Sequence, residues 1–463
     1  MAEKKFSDLT AKGATIADTD LVAISESAGG GTYTSKSVTG ANIKALVTDA
    51  NMTTTDITTN DVSTSKHGFA PKAPNDTTKF LRGDGTWAVP AAGGLTKFTE
   101  AENTSAPNGT VYVDSLTAAA SSTNADFAIL PKGNGAILSA IPDNTATGGN
   151  KRGTNAVDLQ TYRTIATQVS SGNYSNILGG YRNAATGVSS AIVGGYLNTA
   201  SGDRAMILGG DNNTASGVVS FSIGGGNNAT YTYSGALGYS NTSSNLGSMC
   251  LGWLNTSSGQ YSFTAGQSNT ASGANSTSIG YNNVSSATGA NTLGVSNTAN
   301  GSYSNAQGYQ SHVFGIYGRQ SYASGQESTA GDSQASKFVL HERTTDATAT
   351  TLTTNSSAAS TTNQVILSNQ SAYRFKGTII GKKSGTTDIA AWDIDGLIVR
   401  GANAASTTLA VSNVTLVQNT PAWGTPTLAA DTTNGGLQVQ VTGVAATNIQ
   451  WTATIETTEV IYA

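Results

Sequence analysis

Residues 249–262 read MCLGWLNTSSGQYS and residues 263–276 read FTAGQSNTASGANS, two units of one 14-residue pattern. The pattern runs outward in both directions, marked by Gly179, Gly194, Gly209, Gly224, Gly238, Gly252, Gly266, Gly280, Gly294 and Gly308. The first three intervals are 15 residues and the other six are 14. An Asn follows four residues on in the longer units (Asn183, Asn198, Asn213, Asn228) and three on in the shorter (Asn241, Asn255, Asn269, Asn283, Asn297). A fixed period of this length is the signature of a stacked-coil architecture.

From Gly179 to Gly294 the marker Gly follows an apolar residue: Leu178, Val193, Leu208, Ile223, Leu237, Leu251, Ala265, Ile279 or Leu293. Two positions earlier a second is often apolar, as at Ala191, Met206, Phe221, Met249 and Phe263. This is strand alternation, one face in and one face out. The rest of the unit is small and polar, for example Asn198 to Gly202 and Asn269 to Gly273, and it supplies turns at both strand ends. A 14-residue unit leaves about five residues per strand after two tight turns, too few for a helical crossover, so it predicts one turn of a flattened parallel β-coil. At about 4.8 Å per coil, ten coils span roughly 45–50 Å. Such a coil encloses few side chains, and a symmetric homo-oligomer is the simplest way to bury the remainder.

The run of Ile-Leu-Gly-Gly followed by Asn-Thr-Ala-Ser-Gly resembles the head repeats of trimeric autotransporter adhesins, which also occur in bacteriophage tail fibres. The segments Leu130 to Gly135, Asn150 to Gln160 and Ala166 to Gly172 resemble the lead-in to those repeats in phage fibres. The resemblance covers roughly residues 125 to 325. It implies an all-β homotrimeric fibre with a left-handed parallel β-roll, and attachment of a virion to its host.

Composition agrees. Of 463 residues 54 are Gly, and 11% are charged against about 25% for ordinary soluble domains. A net charge of −4 argues against nucleic-acid binding through phosphate neutralisation. The single cysteine, Cys250, rules out an intrachain disulfide and reads as a small core residue. The N-terminal stretch Met1 to Leu9 has no apolar run that would serve as a signal peptide, and no stretch reaches 18 apolar residues. The expectation is a virion protein made in the host cytoplasm, with no membrane insertion.

Five regions are expected. Residues 1–50 form an N-terminal attachment segment: a strand at Leu21 to Ile24, a turn at Gly29 to Gly31, and a short helix capped by Thr39 that carries Ile43, Leu46 and Val47. This segment resembles phage-fibre N-termini that dock to a tail or baseplate protein. Residues 51–94 hold a linker and the motifs His67 to Lys72 and Phe80 to Trp87, similar to phage-fibre shafts. Within the second, Arg82-Gly83-Asp84 reads as a turn. Residues 95–160 are β-rich, and 161–330 form the roll. Residues 331–463 carry aromatic strands at Lys337 to Leu340, Tyr373 to Ile380, Ala391 to Val399, Leu437 to Val441 and Ile449 to Ile455, with a hairpin at Asn434-Gly435. They predict an antiparallel β-sandwich, the receptor-binding tip.

Glycoside hydrolysis needs two carboxylates flanking the scissile bond. Between Ala166 and Gln326 the only acids are Asp203 and Asp211, which read as solvated turn residues. Asp393 and Asp395 share a strand face beside Trp392 and read as solvent-facing. His67, His312 and His341 lie in separate regions and suggest neither a metal site nor a triad. No enzyme activity, metal or cofactor is expected. Candidate contacts for a bacterial surface glycan or receptor are Trp392, Tyr373 and Trp423 at the tip. Tyr239, Trp253, Tyr281 and Tyr309 join them on the roll, each directly after a marker Gly. Rings there could stack on sugars or pack against the next subunit. The expected function is non-catalytic adsorption to the host. A structural head, neck or tail fibre without receptor role and a glycan-depolymerising tailspike are the alternatives. Whether Tyr231 and Tyr233 bulge outward is left open.

Overall fold

The computed structural model describes residues 21–27, 33–39, 41–42, 77–82, 84, 86–89, 98–103, 113–118, 124 and 128–462. The chain forms two compact units, residues 1–128 and 129–463. In the first, antiparallel pairs join Leu21–Ser27 to Tyr33–Thr39, Phe80–Leu81 to Trp87–Ala88, and Phe98–Asn103 to Val113–Ala118. The Thr39 hydroxyl accepts from the Asn42 N–H at 3.3 Å, as a helix cap does. Ile43, Leu46, Val47, Gly29 to Gly31 and His67 lie outside the described residues. Asp84 accepts from the backbone N–H and the hydroxyl of Thr86, at 3.0 and 2.7 Å, which closes the turn expected after Arg82.

The second unit contains a parallel β-solenoid. Long strands such as Gly235–Tyr239, Met249–Trp253 and Phe263–Gln267 stack in register, each coil pairing with the next. The series extends back to Ile137–Leu138 and forward to Gln320–Ser324. Two-residue strands such as Thr242–Ser243 and Thr256–Ser257 form a second, nine-stranded parallel sheet.

The inward column is not the apolar one. Ile177, Ile192, Ile207, Ser222, Ala236, Cys250, Thr264, Ser278, Thr292 and Ala306 are enclosed, facing Ala185, Ala200, Ala215, Ala229, Ser243, Ser257, Ala271, Ser285 and Ala299 of the short strands. Leu178, Val193, Leu208, Leu251 and Leu293 point outward and are 45–52% exposed. The lumen is too narrow for a second row of large side chains, so small residues fill it. Cys250 fits as a small core residue: its thiol donates to Thr242 O at 3.0 Å, and burial pushes the thiol pKa up.

The marker glycines also need re-registering. The stacked column is Gly180, Gly195, Gly210, Gly224, Gly238, Gly252, Gly266, Gly280, Gly294 and Gly308, with φ between +76° and +122°. A Cβ on any of them would land on a backbone carbonyl oxygen of the next coil. At Gly194 a Cβ would meet nothing within 4 Å. In the longer coils the first Gly of each pair is therefore not the structural one. The register shift between Ile207 and Gly209 marks where the last extra residue is absorbed. With the column corrected, the Asn offset is three throughout, and the fourth ladder residue is Asn227, fully buried, rather than Asn228.

These asparagines form one hydrogen-bonded ladder. Asn241 Oδ1 accepts from the N–H and the Nδ2 of Asn255 at 3.0 and 3.2 Å, and Asn241 Nδ2 donates to Gly252 O at 2.6 Å. The ladder begins at Gln160, whose Oε1 accepts from Asn183 N–H at 2.9 Å, and ends where Asn297 Oδ1 accepts from Ser311 N–H at 2.8 Å. Below it, buried Asp158 accepts from Arg152 Nε at 2.7 Å and Arg163 Nη2 at 3.0 Å. The lead-in residues thus cap the roll with a charge cluster.

The sheet runs without a break through residue 331. Gln320–Ser324 pairs in parallel with the last coil and antiparallel with Ser333–Thr344. The sheet continues through Ile449–Ile461, Ser371–Lys383, Ile389–Arg400 and Thr407–Thr420. A smaller antiparallel sheet of Ala349–Thr351, Val365–Ile366, Thr427–Asp431 and Gly436–Thr442 covers a core that includes Phe338, Leu340, Phe375, Ile379 and Trp451. The hairpin at Asn434-Gly435 forms, with Asp431 accepting from the N–H groups of Thr433 and Asn434. At the join, the buried Arg319 guanidinium pairs with Glu459 and lies over the rings of Phe314 and Phe338 at 5.2 and 5.4 Å. Gln334 bridges Glu459 Oε2 and His312 O at 3.0 and 2.8 Å.

Adjacent glycines give a sharp test. Gly195→Ala should destabilise the protein by about 3 kcal/mol, from left-handed strain and overpacking, and Gly194→Ala by less than about 0.5 kcal/mol. Denaturation midpoints at one protein concentration would measure both, and equal shifts would refute the corrected column. At the join, burial foremost, with Arg319 adding repulsion, lowers the His312 pKa from 6.5 to about 4. The folded protein holds this imidazole neutral while the unfolded chain takes up a proton below pH 6.5. Stability attached to His312 is therefore intact above pH 6.5 and declines by about 1.4 kcal/mol per unit as pH falls toward 4. His312→Asn should flatten that part of a stability–pH curve relative to the parent.

Candidate functional site

The expected tip contacts are core residues. Strand alternation turns Trp392 inward with Ile394 and Ile398, and leaves Asp393 and Asp395 on the outer face. Trp392 is 1% exposed, Tyr373 0% and Trp423 6%. Trp392 and Trp423 pack on Trp451 with ring centroids 6.1 and 5.5 Å apart. Burial, and then the Glu459 carboxylate, push the Tyr373 phenol up to about 12. None of the three presents a surface to a receptor. In this sandwich the large aromatics are the apolar core, and sequence alone does not separate that role from a binding role.

The acids have local partners. Asp395 accepts from Arg374 Nη2 at 2.6 Å and lies 3.3 Å from Asn413 Nδ2. Asp203 is exposed and accepts from Val188 N–H at 3.0 Å, a turn contact. Asp211 is exposed at a strand end. His341 Nδ1 is 2.7 Å from the Ser356 hydroxyl, apart from His312 at the join. Among the described residues no group of His, Cys, Asp and Glu could hold a metal, and no helix is long and apolar enough to cross a membrane.

The roll presents its aromatic residues to the surface. Tyr239, Trp253, Tyr281 and Tyr309 are 46–58% exposed. Strand register puts them in one column, with Gln267 and Val295 between. Tyr181 and Tyr196 belong to the same column, extended through Asp211 and Gly225. They follow Gly180 and Gly195 directly, as Tyr239 follows Gly238. Tyr181 and Tyr196 stack at 4.7 Å, and Tyr239 meets Trp253 edge-on at 6.2 Å. Beside this column the outward Leu237, Leu251 and Leu293 extend one apolar face along the long-strand sheet.

A second strip was not legible in advance. Tyr174, Tyr233, Tyr261 and Tyr303 occupy the left-handed turn at the other end of the long strands, with φ of 54–58°, and are 54–62% exposed. The Tyr231–Tyr233 stretch is no bulge. Tyr233 N–H donates to Val218 O at 2.9 Å, as Tyr261 N–H does to Leu246 O at 2.8 Å. These cross-coil bonds hold bulky residues in a conformation that normally favours Gly or Asn.

No protein-family model and no curated protein matches the sequence. Among solved structures, the chain is similar to the tailspike protein gp49 of Acinetobacter baumannii bacteriophage Fri1, a capsular polysaccharide depolymerase. The two share 8% identity over 69% of this chain and 70% of that one, with a TM-score of 0.18. That score is too low for gp49's activity to inform the chemistry of this chain.

Proposed function

We propose that this protein is a bacteriophage tail fibre that assembles as a homotrimer and binds a host-surface glycan or receptor without cleaving it. The observation that carries the reading is the outward face of the long-strand sheet, where half-exposed Leu251 and Leu293 and partly buried Leu237 lie beside the column from Tyr239 to Tyr309. A monomer rarely leaves a continuous apolar face of this extent uncovered. Three identical faces turned toward a common axis close on themselves and leave no open end. The likeness of the repeats to adhesin heads and phage fibres supports the virion setting. In it the N-terminal segment docks to a tail or baseplate protein and the roll acts as a stiff spacer. The ion-paired or turn-bound state of Asp395 and Asp203 favours binding over turnover.

Sedimentation equilibrium of the full chain should give three times the chain mass. The double variant Leu237→Lys/Leu251→Lys should give single chains that keep their β-signal, since both side chains point away from the lumen. A parent protein that sediments as one chain at micromolar concentration overturns the assembly. Labelled full chain should adhere to host cells and slow phage adsorption. Adherence with release of reducing ends from host polysaccharide would instead select the depolymerase. No adherence, with the protein present in virions, would select the structural fibre.

A further inference from the structure

Where the last coil meets the C-terminal sheet, the outer sheet surface sinks into a trough of about 560 Å³. Two rows of cross-strand neighbours build it. One runs Asn305, Gln320, Lys337, Glu456, Lys376 across five strands. The other runs Gln307, Tyr322, Ala335, Thr458, Arg374. In the second row the small Ala335 and Thr458 leave a floor between the Tyr322 ring, 59% exposed, and the Arg374 guanidinium. The two walls stand about 14 Å apart, three strand spacings.

The chemistry of the trough is specific. Its coil side carries three amides, Asn305, Gln307 and Gln320, each able to donate to and accept from a hydroxyl. Tyr322 offers a flat apolar ring with a polar tip. The central strand carries Lys337 and the far side Lys376 and Arg374, against the one carboxylate of Glu456, on a chain whose net charge is −4. Glu456 already pairs with Lys376 at 3.3 Å, and Arg374 with Asp395 at 2.6 Å. Lys337 has no carboxylate partner among the described residues.

We infer that this trough binds an acidic oligosaccharide. Amides take its hydroxyls, Tyr322 stacks on a ring, and Lys337 meets a sugar carboxylate. The inference deepens the glycan-binding reading above and rests on it. It is compatible with the proposed assembly. The outward apolar row persists to Leu293 and becomes Gln307 at the next coil, where the trough begins.

Titration calorimetry of the full chain at low salt with tri-galacturonate, sialyllactose and neutral lactose tests it. At least one acidic sugar should bind ten-fold or more tightly than lactose. Tyr322→Ala and Lys337→Gln should each weaken that binding ten-fold or more with unchanged melting, and Tyr261→Ala, on the other strip of the roll, should leave it unaltered. The inference falls if neither acidic sugar binds, if lactose binds equally well, or if both trough variants bind like the parent. Cell adherence, measured without added sugar, separates the outcomes. Adherence without acidic-sugar binding removes the trough alone, whereas acidic-sugar binding without adherence removes the receptor role and leaves the trough.

Discussion

The close approach of successive coils at one corner governs the rest of the roll. There the backbone turns with positive φ at Gly238, Gly252 and their equivalents, near enough to the next coil that no side chain fits. The carbonyl at each such Gly is bonded by the buried Asn of the preceding coil, as Gly252 O is by Asn241 Nδ2, and the oxygen of that Asn accepts from the next rung. A buried polar ladder is sound only if every member is satisfied, because each orphaned group costs about 1–3 kcal/mol. Its two ends are accordingly the most specialised parts of the unit. Gln160 opens it above the Arg152–Asp158–Arg163 cluster, and Ser311 closes it against the strand carrying Gln334.

The period, the parallel stacking and the strand-rich C-terminal region were legible in the sequence because they are local. Turn residues and alternation recur within fourteen positions. The registration of the glycines was not, since Gly194 and Gly195 are equivalent as letters and differ only in what faces them across the coil. The same blindness hid which apolar column points inward: alternation fixes that faces differ, not which one meets the narrow lumen. Thr407–Thr420 escaped notice for a different reason. It pairs on one side only and is exposed on both faces, so its Thr, Asn and Gln residues carry no alternating signal. The Arg319–Glu459 pair, 140 residues apart, has no local signature at all.

Aromatic residues illustrate how far side-chain type falls short of place. Among the described residues, Trp392, Tyr373 and Trp423 belong to the largest apolar core, and that core claims them. On the roll the lumen has no room for a ring, so Tyr239, Trp253, Tyr281 and Tyr309 are forced outward. Tyr322 lies where the two regimes meet and borders a depression that neither region forms alone.

The enclosed side chains of the roll are largely Ala, Ser, Thr and Asn, with Ile found in its first coils and at Ile316 in its last. Exposure of such groups on unfolding adds little apolar hydration and much polar hydration, which change heat capacity in opposite directions. The roll's own contribution to the heat-capacity increment should then be small, and its free energy should vary gently from cold to warm. A roll held together this way keeps its stability across a wide range of temperatures, while the aromatic-cored C-terminal region follows the ordinary curved dependence.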